Sequence, residues 1–128
     1  MGKILIIDDS VLDRTLLVKT LKKFGISREI LQAGDGEEGM KILSDHLTMI
    51  DLILLDWQMP KIDGLEFMQG VVKVPAVASI PIVMVSASGS EENIRKAKEV
   101  NPNLAGYVVK PFKPETLINT IKPLLNNE

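Results

Sequence analysis

Residues 51–56 read Asp-Leu-Ile-Leu-Leu-Asp, an unbroken run of large aliphatic side chains between two acids. Continuous apolar runs of this length are typical of strands that are buried on both faces, as in a parallel sheet covered by helices. Four other short apolar runs occur along the chain. The five predicted strands span residues 3–8, 29–33, 51–56, 81–86 and 106–110.

Segments with helical spacing separate the predicted strands. Three of them carry an apolar stripe that we expect to face the sheet. These stripes are Leu17, Leu21 and Phe24; Met40, Leu43 and Leu47; and Leu117, Ile121 and Leu124. The helix after Ser90 has a thinner stripe of Ile94, Ala97 and Val100, so we expect it to be among the less firmly anchored elements.

Residues that cap helices lie where these segments begin and end. Ser10, Asp35, Asp63 and Ser90 are expected to cap N-termini, and Gly25 is expected to end the first helix. Strands that alternate with helices imply right-handed crossovers and helices on both faces of the sheet. The predicted fold class is therefore α/β, a doubly wound five-stranded parallel sheet in a single domain spanning residues 1–128.

Composition excludes several classes of protein. The 128 residues include no cysteine, which rules out disulfides and thiolate metal sites. The net charge is −2 with both signs scattered along the chain, unlike the basic stripe of a nucleic-acid binder. No apolar run is long enough to span a bilayer, and the N-terminal residues lack the pattern of a signal peptide. We therefore expect a cytoplasmic protein with no direct nucleic-acid contact and no membrane insertion.

Reactive polar side chains follow four of the five predicted strands. The first strand ends in Asp8-Asp9, the third in Asp56, the fourth in Ser86 and the fifth in Lys110. Ligands of open parallel sheets bind beyond the carboxyl ends of the strands, so these side chains are expected to share one edge. Each residue alone has an ordinary role, as a helix cap, a turn residue or a solvated charge. Their coincidence at one edge favours a functional site.

Three clustered carboxylates need a compensating charge. Two carboxylates about 4 Å apart repel by roughly 4 kcal/mol at an effective dielectric constant of about 20. Protons or a cation must offset this repulsion, and oxygen ligands without His or Cys suit Mg²⁺. A divalent cation, a carboxylate nucleophile, a lysine and a hydroxyl together suit phosphoryl transfer.

Four short segments resemble the receiver domain of two-component response regulators, in its single-domain chemotaxis (CheY-like) form. They are Ile7-Asp8-Asp9-Ser10, Leu55-Asp56-Trp57-Gln58-Met59-Pro60 followed by Asp63-Gly64, Val85-Ser86-Ala87, and Tyr107-Val108-Val109-Lys110-Pro111-Phe112. The resemblance covers essentially the whole chain. It implies a flavodoxin-like (βα)₅ fold with strand order 2-1-3-4-5. It also implies a phosphoacceptor switch that catalyses only its own phosphorylation and dephosphorylation, rather than an enzyme.

The resemblance implies a role for each residue of the metal site. Asp56 is the phosphoacceptor of a Mg²⁺-dependent reaction and, with Asp9, binds the ion directly. Asp8 binds it partly through water, and the backbone carbonyl of Gln58 is a further ligand. Lys110 belongs to the catalytic set, and the Lys110–Pro111 peptide bond is expected to be cis.

Ser86 and Tyr107 are implied to form the switch. The Ser86 hydroxyl, where the family more often has Thr, moves toward the phosphoryl group and Tyr107 turns inward. This changes the surface made by the helix after Ser90, the strand at Tyr107 and the final helix. The implied partners are a sensor histidine kinase or histidine phosphotransfer protein and an unknown downstream protein. Alternatively, Tyr107 is an edge-strand aromatic with a solvated hydroxyl.

Two other functions fit the sequence poorly. A haloacid-dehalogenase phosphatase needs a second Asp two residues after the nucleophile, where this chain has Gln58, which cannot transfer a proton. A flavodoxin-like electron carrier needs a hydroxyl- and glycine-rich phosphate loop, whereas Asp8-Asp9 would repel a flavin phosphate. The chain could be a stand-alone regulator or an excised receiver. Its start at Met1 and its end at residues 126–128 favour the stand-alone form.

Overall fold

A computed structural model describes residues 2–125 of the chain. Met1 and residues 126–128, on which the stand-alone expectation rests, lie outside the described residues. None of the helices in residues 2–125 combines the length and apolar character that a membrane span requires.

Five parallel strands form one sheet at the centre of the molecule. They are β1 (Lys3–Ile7), β2 (Ile30–Ala33), β3 (Ile50–Leu55), β4 (Ile82–Ser86) and β5 (Gly106–Val109). Each lies within one residue of its predicted bounds. The strands are ordered β2-β1-β3-β4-β5, which confirms the fold class and the order implied by the resemblance.

Helices cover both faces of this sheet. They are α1 (Val11–Lys23), α2 (Gly36–Asp45), α3 (Gly64–Val71), α4 (Glu91–Val100) and α5 (Pro114–Ile121), with a 3₁₀ turn at Lys122–Leu124. Side chains of β1 alternate between the two faces: Ile4 and Ile6 pack with α1 and α5, whereas Leu5 and Ile7 pack toward α2, α3 and α4. This alternation gives the molecule two cores on either side of one sheet.

The predicted N-caps are confirmed. The side chains of Ser10, Asp35, Asp63 and Ser90 each accept a hydrogen bond from the backbone N–H three residues later. These bonds satisfy backbone donors that a helix leaves free at its first turn. The Lys110–Pro111 peptide bond is cis, as the resemblance implied.

One stripe residue was predicted wrongly. Leu47 was expected to face the sheet, but α2 ends at Asp45 and Leu47 lies in the following turn with 44% of its surface exposed. The His46 N–H donates to the carbonyls of Ile42 and Leu43, and the chain then turns toward β3. The helical spacing therefore stops before Leu47. Leu124 lies in the 3₁₀ turn rather than in α5, and packs partly buried against the core. In α4 only Ala97 is buried, in keeping with its thin stripe.

Gly25 ends α1 through a Schellman motif. Its φ angle is +82°, in the left-handed region that disfavours residues with a Cβ. The N–H of Gly25 donates to the Lys22 carbonyl at 3.1 Å, and the N–H of Ile26 donates to the Leu21 carbonyl at 3.0 Å. The motif turns the chain so that Ile26 becomes buried in the core.

Replacing Gly25 with Ala should therefore lower the free energy of unfolding by about 1 kcal/mol. A Cβ at this position meets no heavy atom within 4 Å, so the loss should come from backbone conformation alone. Urea unfolding of the variant measures it. Gly34→Ala is the matched control, because its Cβ would make only an ordinary contact, 3.5 Å from the Arg14 guanidinium. Equal stability of Gly25→Ala and the parent would contradict the prediction.

Candidate functional site

The polar residues that follow the strands meet at the carboxyl edge of the sheet. Asp8 and Asp56 are buried, with 1% and 8% of their surfaces exposed, and Ser86 at the end of β4 is buried as well. Asp9 is exposed, and Lys110 is partly buried. The structure thus brings the strand-end residues that were predicted from the sequence to one edge of the sheet.

Hydrogen bonds along the sheet fix the backbone of this edge. The N–H of Asp56 donates to the Ile7 carbonyl at 2.9 Å, which sets the end of β3 beside the end of β1. The N–H of Lys110 donates to the Ser86 carbonyl at 2.8 Å, which does the same for β5 and β4. The backbone of the strand ends therefore positions the functional side chains at this edge.

Three carboxylates form the acidic cluster of the site. Asp8, Asp9 and Asp56 each have a ligand oxygen within 4.8 Å of the others. One oxygen of Asp8 accepts from the Ser10 N–H at 2.9 Å, and one oxygen of Asp56 accepts from the Trp57 N–H at 2.8 Å. These bonds orient both buried carboxylates. Such a set of oxygen donors fits a hard divalent cation such as Mg²⁺.

Lys110 provides the positive charge next to this cluster. Its Nζ atom lies 2.7 Å from Asp8 Oδ2, 2.9 Å from Asp13 Oδ2 and 3.7 Å from Asp56 Oδ1. Burial by itself lowers the pKa of Lys110, but the hydrogen bonds to Asp8 and Asp13 outweigh it and hold the pKa above its usual value. Lys110 therefore stays charged at neutral pH.

Asp13 is a site residue that sequence reasoning missed. It lies in the first turn of α1, where acids are common because they favour the positive end of the helix dipole. That ordinary role hid its contact with Lys110. The signal that could have found it is its position in the first turn of the helix that directly follows Asp8-Asp9, which places it near the same edge of the sheet.

Asp56 has a strongly altered acidity. Burial, and next the negative charge of Asp8, raise the pKa of Asp56 from 3.8 to about 6. The Lys110 charge and the Trp57 N–H act in the opposite direction but do not cancel this effect. A buried carboxylate with a raised pKa beside a lysine is the kind of group that active sites use.

Ser88 connects the predicted switch residues. The Tyr107 hydroxyl donates to the Ser88 carbonyl at 2.6 Å, so it has a protein partner and is not merely solvated. The Ser88 N–H donates to Ser86 Oγ at 3.2 Å, and the Asn93 side-chain amide donates to Ser88 Oγ at 2.7 Å. A single loop residue therefore joins the end of β4, the first turn of α4 and β5.

Gly64 lets α3 begin directly against the Asp56 loop. Its N–H donates to the Trp57 carbonyl at 2.8 Å. A Cβ built on Gly64 would overlap the backbone carbonyl oxygen of Asp56 and lie 2.9 Å from the Trp57 Cα. Only glycine permits this approach, so the Asp63-Gly64 pair helps to position the acidic cluster.

The raised pKa of Asp56 predicts a pH-dependent stability in the absence of divalent cations. Because the folded state binds this proton more tightly than the unfolded state, stability should fall as pH rises from about 4 through about 6. At about 1.4 kcal/mol per pKa unit, the penalty at pH 8 approaches roughly 3 kcal/mol. Asp56→Asn should remove it, so the variant should be more stable than the parent at pH 8 and equally stable below pH 4.

Urea unfolding in a chelator at several pH values measures this difference. Asp45→Asn, which replaces an exposed acid at the end of α2, is the control and should change stability by only a few tenths of a kcal/mol. A parallel pH profile for Asp56→Asn and the parent would show that Asp56 carries no such penalty.

Comparison with known proteins identifies the family. Residues 4–122 match the family described as response regulator receiver domain. A probable chemotaxis protein CheY of Rhizobium etli is 35% identical over 115 residues, which cover 90% of this chain and 85% of that protein. A CheY homolog of Campylobacter jejuni is 30% identical over 96% of this chain and 92% of that protein. Part of the Helicobacter pylori sensor histidine kinase CheAY, 14% of its length, is 33% identical over 93% of this chain.

Solved structures agree with the sequence relatives. The chemotaxis response regulator CheY4 of Vibrio cholerae superposes with a TM-score of 0.84 at 34% identity, covering 98% of this chain and 99% of that chain. A response regulator receiver domain protein of Clostridium thermocellum also superposes with a TM-score of 0.84, at 25% identity over 98% of this chain and 95% of that chain. With its fold and sequence both matching, the chain belongs to the response regulator receiver domains of two-component signalling, and is CheY-like.

Proposed function

We propose that Asp56 accepts a phosphoryl group from a phospho-histidine of a sensor histidine kinase or histidine phosphotransfer protein, in a Mg²⁺-dependent reaction. CheY-like receiver domains are signalling switches rather than classical enzymes, and the receiver family works with such donors. The observation that carries the proposal is the cluster of Asp8, Asp9 and Asp56 beside the Lys110 ammonium. We also propose that one receiver domain spans residues 1–128 and acts in the cytoplasm without direct contact with nucleic acid.

The residues of the site divide the chemistry between them. An Asp56 oxygen attacks phosphorus, the P–N bond of the donor breaks, and its electron pair leaves with the imidazole. With a pKa of about 6, Asp56 is mostly ionised at neutral pH, as a nucleophile must be. Lys110 offers a fixed positive charge to the phosphoryl oxygens. We assign no separate general base, because an ionised carboxylate has no proton to lose.

The acidic cluster is the proposed metal site. Asp9 and Asp56 would bind Mg²⁺ directly, Asp8 partly through water, and the backbone carbonyl of Gln58 would add a ligand; receiver domains are generally Mg²⁺-dependent. When bound, the ion would neutralise negative charge on the carboxylates and on the incoming phosphoryl oxygens. The exposed Gln58 side chain is not needed for this role.

An exposed apolar patch beside the site supports docking of the donor. Val11, Leu12 and Leu16 at the start of α1 have 65%, 82% and 51% of their surfaces exposed. Leu16 also lines a groove with Pro111 and Phe112 that reaches Lys110. Large aliphatic side chains grouped on one exposed surface are typical of protein contacts. This patch would hold a helical donor over Asp56.

The hydrogen bonds of Ser88 suggest how phosphorylation of Asp56 would change the output surface. A phosphoryl oxygen on Asp56 would accept a hydrogen bond from the Ser86 hydroxyl and draw that hydroxyl away from the Ser88 N–H. Movement of that loop would disturb the Tyr107 hydrogen bond and the start of α4, which buries only Ala97. We propose that the surface of α4, β5 and α5 changes in this way and binds an unidentified downstream protein.

Acetyl phosphate with Mg²⁺ should add one phosphoryl group to the protein through a base-labile acyl phosphate. Mass spectrometry of the intact protein measures the addition. Asp56→Asn should abolish it, and Asp9→Ala should reduce it strongly because a direct metal ligand is lost. Asp45→Asn should be phosphorylated like the parent. Full phosphorylation of Asp56→Asn would exclude Asp56 as the acceptor.

Ser86→Ala should uncouple the acceptor from the output surface. The variant should still bind the phosphoryl mimic beryllofluoride with Mg²⁺, but the amide NMR signals of α4 and β5 should shift much less than in the parent. Ser44→Ala, at an exposed position of α2, should respond like the parent. If Ser86→Ala shows the full shift, or if Tyr107 keeps the same rotamer with and without beryllofluoride, this output route is wrong.

A further inference from the structure

Lys110 is held mainly by two carboxylates other than the proposed acceptor. Its Nζ lies within hydrogen-bond distance of Asp8 and Asp13, at 2.7 and 2.9 Å, but 3.7 Å from Asp56. We propose that Asp13 is a positioning residue that restrains Lys110 in the unphosphorylated protein and thereby weakens the phosphoryl-bound state. This inference rests on the proposed function of Asp56 as acceptor.

A phosphoryl group on Asp56 would compete with Asp8 and Asp13 for the Lys110 ammonium. An ammonium group has three protons and no acceptor, so each strong contact engages one of them. Two of these protons are engaged by Asp8 and Asp13, which hold Nζ 3.7 Å from Asp56 Oδ1. The added negative charge of a phosphoryl group would draw Nζ toward it and lengthen one of the two short contacts, to Asp8 or to Asp13.

Burial decides which contact is released. The Asp8 side chain is 2% exposed, so without a nearby cation it would be left as a buried unpaired charge. The Asp13 side chain is 42% exposed, so water replaces the lysine at a much smaller cost. Apart from any bound metal, the Lys110–Asp13 pair is therefore the less costly one to break, and the proposal assigns the release to it.

The backbone around Asp13 is anchored by contacts that do not involve the Asp13 side chain. The Asp13 N–H donates to the Ser10 hydroxyl at 3.2 Å in the helix cap. Arg14 donates to the Asp8 carbonyl at 2.6 Å, which ties the same turn to the end of β1. Because the backbone is anchored on both sides of the contact, a substitution at Asp13 can remove the charge without moving the helix.

Titration with beryllofluoride at saturating Mg²⁺, followed by the fluorescence of Trp57, tests this proposal. Asp13→Asn keeps the size of the side chain but removes its charge. It should tighten beryllofluoride binding by about two- to fivefold, as expected for the loss of a partly exposed competing ion pair. Asp13→Glu, which restores a carboxylate, should bind like the parent, and so should Glu37→Gln, which removes an exposed first-turn acid from α2.

A second background separates a local contact from the general field of a negative charge. In Lys110→Ala, the further change Asp13→Asn should no longer tighten binding, because the lysine through which Asp13 acts is gone. An equal tightening in both backgrounds would overturn the proposal. So would unchanged affinity of Asp13→Asn, or a beryllofluoride complex whose structure retains the Lys110–Asp13 pair.

These outcomes differ from failure of the proposed function. If the parent neither binds beryllofluoride nor accepts a phosphoryl group, Asp56 is not the acceptor and both proposals fall. If the parent does both but Asp13→Asn behaves like the parent, the acceptor assignment stands and only the role of Asp13 is wrong.

Discussion

Mutual repulsion of three carboxylates, offset by one lysine, is the constraint on which the rest of this molecule depends. Asp8, Asp9 and Asp56 bring oxygens within 4.8 Å of one another, and Asp8 and Asp56 are largely withdrawn from water. Left alone, this arrangement opposes folding, since burial and then the negative charge of Asp8 raise the pKa of Asp56. The cluster persists because β1 and β3, which carry it, are almost wholly buried in the sheet.

The strands beneath the acidic cluster and the helix α4 beside it differ in how firmly they are held. Strands β1, β3 and β4 are buried on both faces, and their hydrogen bonds fix the backbone beneath the acidic residues. Helix α4, on the proposed output surface, is attached more lightly: it buries only Ala97, and its first turn is joined to the site through Ser88. A rigid support beneath the charges and a loosely held helix beside them is the arrangement that a two-state switch requires.

Local patterns explain why so much of the fold was predictable. Strand bounds, N-caps and strand-end polar residues depend on the order of residues along the chain, and each was found within about one residue. The prediction for Leu47 was wrong because the spacing of apolar residues does not show where a helix ends. The Lys110–Asp13 contact was missed and the Tyr107–Ser88 hydrogen bond could not be predicted, because both depend on side chains that meet only after the sheet has formed. The roles of the site residues remain proposals that the geometry supports.

The placement of Lys110 bears on how the proposed switch would stay inactive before it receives a phosphoryl group. If the Lys110 ammonium contacted only Asp56, it would already neutralise the proposed acceptor. Phosphorylation would then add little to the favourable contacts of the lysine. In this structure the charge is spread over three carboxylates, with its shortest contacts to Asp8 and Asp13. A phosphoryl group adds negative charge and strong acceptor oxygens at Asp56, so it changes which contact is best for the lysine. The free energy of that exchange is available to shift the loop at Ser86 and Ser88, because Ser86 shares a backbone hydrogen bond with Lys110 itself.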